Sequence, residues 1–318
     1  KSKDAVTGKM GLSWLTHAMK DFGVEKMISG EYAAGSNREI EYFKKIMAAV
    51  MTRAAGGDRV EDVENLRVDR GLLESLGWNE IMSADTYLNL INNKRSNAKL
   101  RRVNNELVIK ALRGLEEEEL TYDNDAAYFD SDKESAEYSY QKRKQFSGLT
   151  GCIAELGMIN TVDYRRGNVS PQSGIVNQLK KAVAQAKAAE KKIKNFRSDS
   201  AAYCMKIMTY CDIHGINYFF SADKDKAVRR TIERIKVSQW RMLSGEYAKN
   251  EGTQWAETRH VMSKGFTIRM LVLRWENPDP DLFDKSPYCY HAIVTNDVES
   301  EPMEWLKMHN GRMGTIEH

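Results

Sequence analysis

Three carboxylates stand where the pattern of the chain changes. Asp123 closes the stretch Leu120-Thr121-Tyr122, Asp199 follows Asn195-Phe196-Arg197-Ser198, and Glu317 lies in the closing segment. Neighbouring strands of one sheet would bring Asp123 and Asp199 close together, and two carboxylates at such range repel unless a cation lies between them. Hard divalent ions such as Mg²⁺ take oxygen ligands, commonly one or two carboxylates together with water and substrate phosphate. A third acid, Glu317, would complete a two-metal site for phosphoryl transfer. Competing chemistries are poorly represented. The 4 cysteines form no CxxC pair and the 6 histidines no HExxH, so a thiolate zinc site, a disulfide framework and a histidine metal site are not expected. No serine–histidine or cysteine–histidine arrangement points to a covalent intermediate.

These acids need elements to hold them. Residues 1 to about 115 read as helices, with apolar positions at helical spacing such as Ile40, Phe43, Ile46, Met47 and Val50. A basic stretch in this part (Lys94, Arg95, Lys99, Arg101 and Arg102) is either a solvated face or a phosphate-contacting surface. At Leu120 the period becomes strand-like. Strands are expected at Leu120–Asp123, Leu149–Leu156 and Met158–Tyr164, then a helix with Val176, Leu179, Val183, Ala186 and Ile193 on one face and lysines on the rest. A strand ending at Ser198-Asp199, a helix from Ala201 to His214 and a strand from Asn217 to Ala222 follow. Strands at Gln254–Ala256, Phe266–Trp275 and Tyr288–Thr295 come next, before a final helical segment from Glu304. Strands in a hairpin-rich start followed by βαβ crossovers imply a mixed α/β sheet flanked by helices. The domains expected are 1–118 (helical, for DNA binding or assembly), 119–232 (first part of a catalytic core), 233–296 (a β-rich insertion) and 297–318 (return to the core).

Length and composition agree with this division. A chain of 318 residues is long enough for two or three domains, 42% hydrophobic residues supply a core, and 29% charged residues suit a soluble protein. No apolar run reaches the length of a membrane span and no signal-peptide layout opens the chain, so a cytoplasmic location without membrane contact is expected. The start at Lys1 and the stop at His318 within a helical pattern suggest a fragment of something longer. A net charge of +3 is too small to argue for nucleic acid by itself; only local concentration of charge does so.

The order of the blocks resembles that of the DDE-type transposases of bacterial insertion sequences, in the RNase H-like (retroviral integrase) superfamily. Leu120-Thr121-Tyr122-Asp123-Asn124-Asp125 is similar to the family's first block, followed by Lys133 to Phe146 with its paired tyrosines. Arg166-Gly167-Asn168-Val169-Ser170 is similar to a family turn, and Phe196-Arg197-Ser198-Asp199-Ser200 to its second block. Thr295-Asn296-Asp297 and Gly314-Thr315-Ile316-Glu317-His318 resemble the last block, while Asp62 to Asp69 and Ser83 to Tyr87 resemble the helical region ahead of the core. The resemblance implies an RNase H-like fold and a DNA transposase that cuts the ends of a mobile element and joins them to a target. Asp123, Asp199 and Glu317 would be the catalytic metal ligands, with Asp125 the alternative register for the first. The cofactor implied is Mg²⁺, with Mn²⁺ able to substitute. The partners implied are double-stranded DNA and a second copy of the chain, in a bacterial cytoplasm and on the nucleoid when bound to DNA. The family's arginine before the glutamate falls on Met313, with Arg312 displaced by one.

Residues expected to contact DNA are Arg165 and Arg166 beside the Gly167 turn, Lys180 and Lys181 on the lysine-rich helix, Arg197, Trp255 and Arg312. Trp255, with Trp240, could stack on a flipped base or pack in a core. Tyr138 and Tyr140 could flank the site or pack. Two other readings of the chain remain open: a domesticated or inactive relative that binds DNA without cutting, and an RNase H-like nuclease that hydrolyses without strand transfer.

Overall fold

The structure is a computed structural model and describes residues 5–32, 40–279 and 286–316. It divides into two compact units, residues 1–110 and 111–318; the boundary expected from sequence lay eight residues later, at 118/119.

The first unit is helical: α1 (Met10–Asp21), α2 (Val24–Glu31), α3 (Tyr42–Ala54), the single turn α4 (Glu64–Arg67), α5 (Arg70–Leu76), α6 (Ala84–Asn92) and most of α7 (Lys94–Arg113). Local chemistry sets several starts. Asp69 accepts from the Leu72 amide (2.9 Å) and Ser83 from the Thr86 amide (3.3 Å), each satisfying a donor that the first helical turn leaves open. The apolar stripes meet in one core that includes Phe43, Met47, Met51, Leu66, Leu72 and Met82.

The second unit is built on one mixed sheet. Its strands are β1 (Glu119–Asp130), β2 (Glu137–Tyr138), β3 (Lys144–Ile153), β4 (Met158–Arg166), β5 (Lys192–Ser198), β6 (Asn217–Ser221), β7 (Arg241–Met242), β8 (Gln254–Val261), β9 (Thr267–Glu276) and β10 (Tyr288–Thr295). The order is β2-β3-β1-β5-β6-β10-β9-β8-β7, with β4 also on β3. β1, β3 and β4 form an antiparallel meander, whereas β1, β5 and β6 run parallel through crossover helices α8 (Ile175–Ala188) and α9 (Met205–His214). Parallel neighbours need such crossovers, and helices supply them. An antiparallel three-strand start feeding a parallel βαβαβ is the RNase H-like arrangement expected from the sequence.

The segment expected as a β-rich insertion is β-rich, but β8, β9 and β10 continue the central sheet instead of standing apart from it: β10 pairs antiparallel with β6, β9 with β10 and β8 with β9. α10 (Lys226–Glu233) precedes these strands, its start capped by Asp225 accepting from Val228 (2.8 Å). α11 (Pro302–Asn310) follows them and buries Trp305 and Leu306 against Phe219, Leu271, Leu273 and Ile293. β1 also outruns its expected end, continuing seven residues past Asp123 because β3 pairs with it as far as Asp130.

α8 covers one face of the meander. From it, Gln178 accepts from the Asn124 side chain (2.8 Å) and donates to the Leu149 carbonyl (2.8 Å). Tyr122 and Asn124 therefore point towards α8. By the two-residue period of a strand, Asp123 and Asp125 point to the opposite face.

Candidate active site

On that opposite face, β1 and β5 present two successive rungs. In the first, Asp123 lies across from Arg197. The Arg197 guanidinium donates to both carboxylate oxygens, Nε to Oδ1 and Nη2 to Oδ2, each at 2.6 Å. Its Nη1 donates to the Met308 carbonyl at the end of α11 (3.0 Å). The Thr315 hydroxyl also donates to Asp123 Oδ2. Asp123 is fully buried and the Arg197 side chain is 8% exposed. This bidentate pair is a structural clamp between two strands and the C-terminal segment.

The second rung holds the exposed chemistry. The β1–β5 pairing ends at Asn124 opposite Ser198, so Asp125 and Asp199 come next on their strands, on the face already fixed by Asp123 and Arg197. They lie at the carboxyl ends of parallel strands, where open α/β sheets form their ligand crevices. Asp199 accepts from the Ala201 amide (2.9 Å). Its carboxyl is pushed above the usual carboxylate range, first by burial and then by the negative charge of Asp125. Arg312 counters this from the turn Gly311–Gly314, with Nη2 3.8 Å from Asp125 Oδ2. One further residue extends the rung: Ser221 ends β6 and meets His309 Nε2 of α11 at 3.0 Å. The His309 ring lies 5.5 Å from that of His291. Burial, then the charge of His291 and of the nearby Arg312, hold His309 down at about 3; burial, then Lys224 and Lys249, hold His291 at about 4. Both rings are neutral at neutral pH.

The expected site residues are thus redistributed. Asp199 sits at the end of β5 as expected. Asp123, expected as the first metal ligand, has both its oxygens taken by Arg197, while Asp125, the alternative register, is the acid beside Asp199. Glu317 lies outside the described residues. Thr315, two residues before it in sequence, is fastened to Asp123 on this face of the sheet. Arg197 and Arg312, expected to contact DNA, are both buried and face carboxylates within the protein.

Of the other expected DNA contacts, Lys180 and Lys181 are exposed on α8, which covers the face away from the acids. Lys180 lies over the Tyr210 ring and Lys181 3.8 Å from Asp163. Arg165 donates to the Ser147 hydroxyl (2.8 Å) and to the Ser173 carbonyl, so it braces the loop that leads into α8. Arg166 is exposed, with Glu137 at 3.8 Å. The amide of Gly167 is bonded to the Gln145 carbonyl (2.9 Å) and so is not presented to a phosphate. Trp255 packs against the α11 core under the Arg241 guanidinium at 5.1 Å, and Trp240 carries Arg274 on its ring at 4.0 Å. Both indoles are half-buried and already have partners. Tyr138 and Tyr140 are exposed. In the first unit, Lys99 of the basic stretch lies over Tyr32 and Arg102 pairs with Glu31 at 2.7 Å.

The donor set fits a hard divalent ion in part. Two carboxylates converge, one of them raised by burial and then by the other's charge, and a cation relieves the second of these. Among the described residues no group of three His, Cys, Asp or Glu side chains is arranged to hold a metal. No helix among the described residues is long and apolar enough to cross a membrane.

Comparison with known proteins adds family. The sequence model of the family described as Transposase DDE domain group 1 matches residues 4–318. A search of the curated proteins gives no match. Among solved structures, the cryo-EM structure of a piggyBac transposase synaptic complex with hairpin DNA matches 98% of this chain and 67% of that chain, at 11% identity and a TM-score of 0.47.

Proposed function

The chain belongs to the transposase DDE domain family, group 1, and we propose that it breaks and rejoins DNA phosphodiester bonds with Asp125, Asp199 and Glu317 as its metal-holding acids. The observation that carries this reading is the rung itself: Asp125 and Asp199 share one face at the ends of parallel strands, and the Asp199 carboxyl is raised by burial and then by its neighbour's charge. DDE transposases use divalent metal ions; Mg²⁺, with Mn²⁺ as substitute, suits an all-carboxylate set. Bound there, such ions would make a water or a DNA 3′-hydroxyl a better nucleophile and offset charge building on the leaving oxygen.

The chain's own residues do the positioning. Asp199 is oriented by the Ala201 amide, and Asp125 is held opposite it by the β1–β3 ladder. Arg312 tempers the charge of Asp125 without occupying it, at 3.8 Å. The Asp123–Arg197 clamp fixes the end of α11 through Met308 and the closing segment through Thr315, which brings the chain to within two residues of Glu317. Hydrolysis and strand transfer would share this site and differ in nucleophile. Two element ends call for two such sites, so a homodimer on double-stranded DNA is part of the proposal.

The test is cleavage and joining of labelled duplexes carrying the ends of the DNA segment that encodes the chain, in Mg²⁺, Mn²⁺ or EDTA. Asp125→Asn and Asp199→Asn are each expected to abolish both products, and EDTA to do the same. Cleavage without joined products would reduce the reading to a nuclease. Full activity in Asp199→Asn would sink it.

A further inference from the structure

The meander has one face covered by α8 and one uncovered. The uncovered face begins at Asp125 and continues through Ala127 and Phe129 on β1. The register adds Thr150, Gly148, Phe146 and Lys144 on β3, and Val162, Tyr164 and Arg166 on β4. Its large apolar groups are in solvent: Phe129 is 51% exposed, Val162 53% and Tyr164 64%. The Phe146 and Tyr164 rings stack at 5.0 Å and 29°. Gly148 provides a floor for the Phe129 ring, since a Cβ there would come within 3.1 Å of it. Exposed aromatic groups gathered on one sheet face are uncommon unless something covers them.

We propose that this face binds the unpaired nucleotides of a DNA strand whose phosphodiester lies at Asp125 and Asp199, with bases on Phe129, Phe146 and Tyr164. The proposal rests on the transposase reading above and names where the strand runs next to the acids. Three observations favour this occupant over an apolar protein surface. The face is continuous with the acid pair. Strand geometry puts Phe129 about 13 Å beyond Asp125, at ~3.3 Å per residue, the reach of about two nucleotides of an extended strand. Cations then stand at the far edge: Arg166 on the Phe129 rung, exposed and with Glu137 at 3.8 Å, and Lys144 one rung on. The surface thus runs from acids through small residues and aromatic rings to cations. Flat sheets with aromatic rings and a basic rim accept single strands, because every base has a face to stack and every linkage a charge to neutralise.

The test measures binding of the full chain to three probes in Ca²⁺, which suppresses cleavage: a blunt duplex, the same duplex with a four-nucleotide 3′ overhang, and one with a four-nucleotide 5′ overhang. Phe129→Ala and Tyr164→Ala are each expected to weaken binding of one overhang probe about five-fold or more, from the ~1–3 kcal/mol that a stacked base contributes, with blunt-duplex affinity unchanged. Phe129→Tyr and Tyr164→Phe keep a ring and are expected to bind as wild type, which separates stacking from misfolding. Equal losses on all three probes, or no loss on either overhang, would overturn the proposal. So would a dimer in sedimentation that dissociates in Tyr164→Ala, since a second copy would then be the occupant. Cleavage that still depends on Asp199 while the overhang preference survives ring removal would refute this surface and leave the active-site reading standing. Cleavage that ignores Asp199 would refute the reading beneath it.

Discussion

Asp123 and Asp125 of β1 make opposite predictions. Asp123 is fully buried and its partner Arg197 8% exposed, joined by two charge-assisted bonds of 2.6 Å. Removing one member of such a pair strands a charge in the interior, which costs about 3–5 kcal/mol against a total stability of order 5–15 kcal/mol. Asp123→Asn and Arg197→Met are therefore each expected to lower the urea midpoint sharply. The double variant Asp123→Asn/Arg197→Met leaves no uncompensated charge and is expected to recover most of the loss, with a coupling energy of at least ~2 kcal/mol in the cycle. Asp125 behaves differently. Its side chain is 32% exposed and its ion-pair partner Arg312 is 3.8 Å away, while its charge disfavours ionised Asp199. Asp125→Asn leaves the buried Arg312 the charge of Asp199, which it already offsets, so it is expected to cost clearly less than loss of the clamp, about 1–2 kcal/mol, and to abolish cleavage. Equilibrium unfolding in urea, run beside the cleavage assay, reads both properties. If Asp123→Asn unfolds at the wild-type midpoint yet loses activity, and Asp125→Asn cleaves normally, the assignment is inverted and the clamp argument is wrong.

Four further predictions concern the same face. Because Asp199 must be ionised to hold a metal and its carboxyl is raised, Mn²⁺ affinity measured by calorimetry is expected to fall as pH drops through that raised value, with proton release on binding; pH-independent affinity would refute it. In EDTA, Asp199→Asn is expected to melt at or above the wild-type temperature at pH 7, since burial penalises the ionised form that the amide replaces; a lower melting temperature would show that the charge is stabilising. Gly311→Ala is expected to lower stability by about 2 kcal/mol, as a Cβ there would lie 2.2 Å from Arg197 Nη1, a group already pinned by Asp123; unchanged urea unfolding would refute the contact. For His309 and His291, folded-state values of about 3 and about 4 lie below the ordinary 6.5. The unfolded chain therefore binds more protons between those limits, and stability falls as pH falls from about 6.5, by roughly 2 kcal/mol per histidine at pH 5. The loss is expected to shrink in His309→Gln, and a urea midpoint equal at pH 5 and 7.5 would exclude it.

Much of the scaffold was legible because periodicity reports burial. The strands ending at Ser198, beginning at Asn217 and spanning 288–295 fall where apolar alternation placed them, and the helix from Ala201 to His214 contains α9. Periodicity could not show that β8, β9 and β10 extend the same sheet, because an edge pairing leaves no trace in either strand alone. Nor could it assign cations. Arg197 and Arg312 read as phosphate contacts by residue type, yet each answers a carboxylate more than 70 residues away in sequence, a partner that only the tertiary fold supplies.

The choice between Asp123 and Asp125 shows what a strand pattern withholds and what it offers. Residues i and i+2 share a face, so alternation treats the two aspartates alike, and both end up on the side away from α8. What separates them is the strand alongside. β5 carries Arg197 and Asp199 at the same spacing, and a parallel register with Asp123 opposite Arg197 sets Asp125 beside Asp199. Sliding that register by two would put Asp123 beside Asp199 and leave Arg197 facing Thr121, a buried cation without a counter-charge. The charge match D-x-D against R-x-D therefore selects one register over the other from residue types alone, given that the strands are parallel neighbours. One rung is neutralised within the protein. The other sets two carboxylates against the single guanidinium of Arg312, an excess of negative charge that costs the fold and that a bound cation would offset.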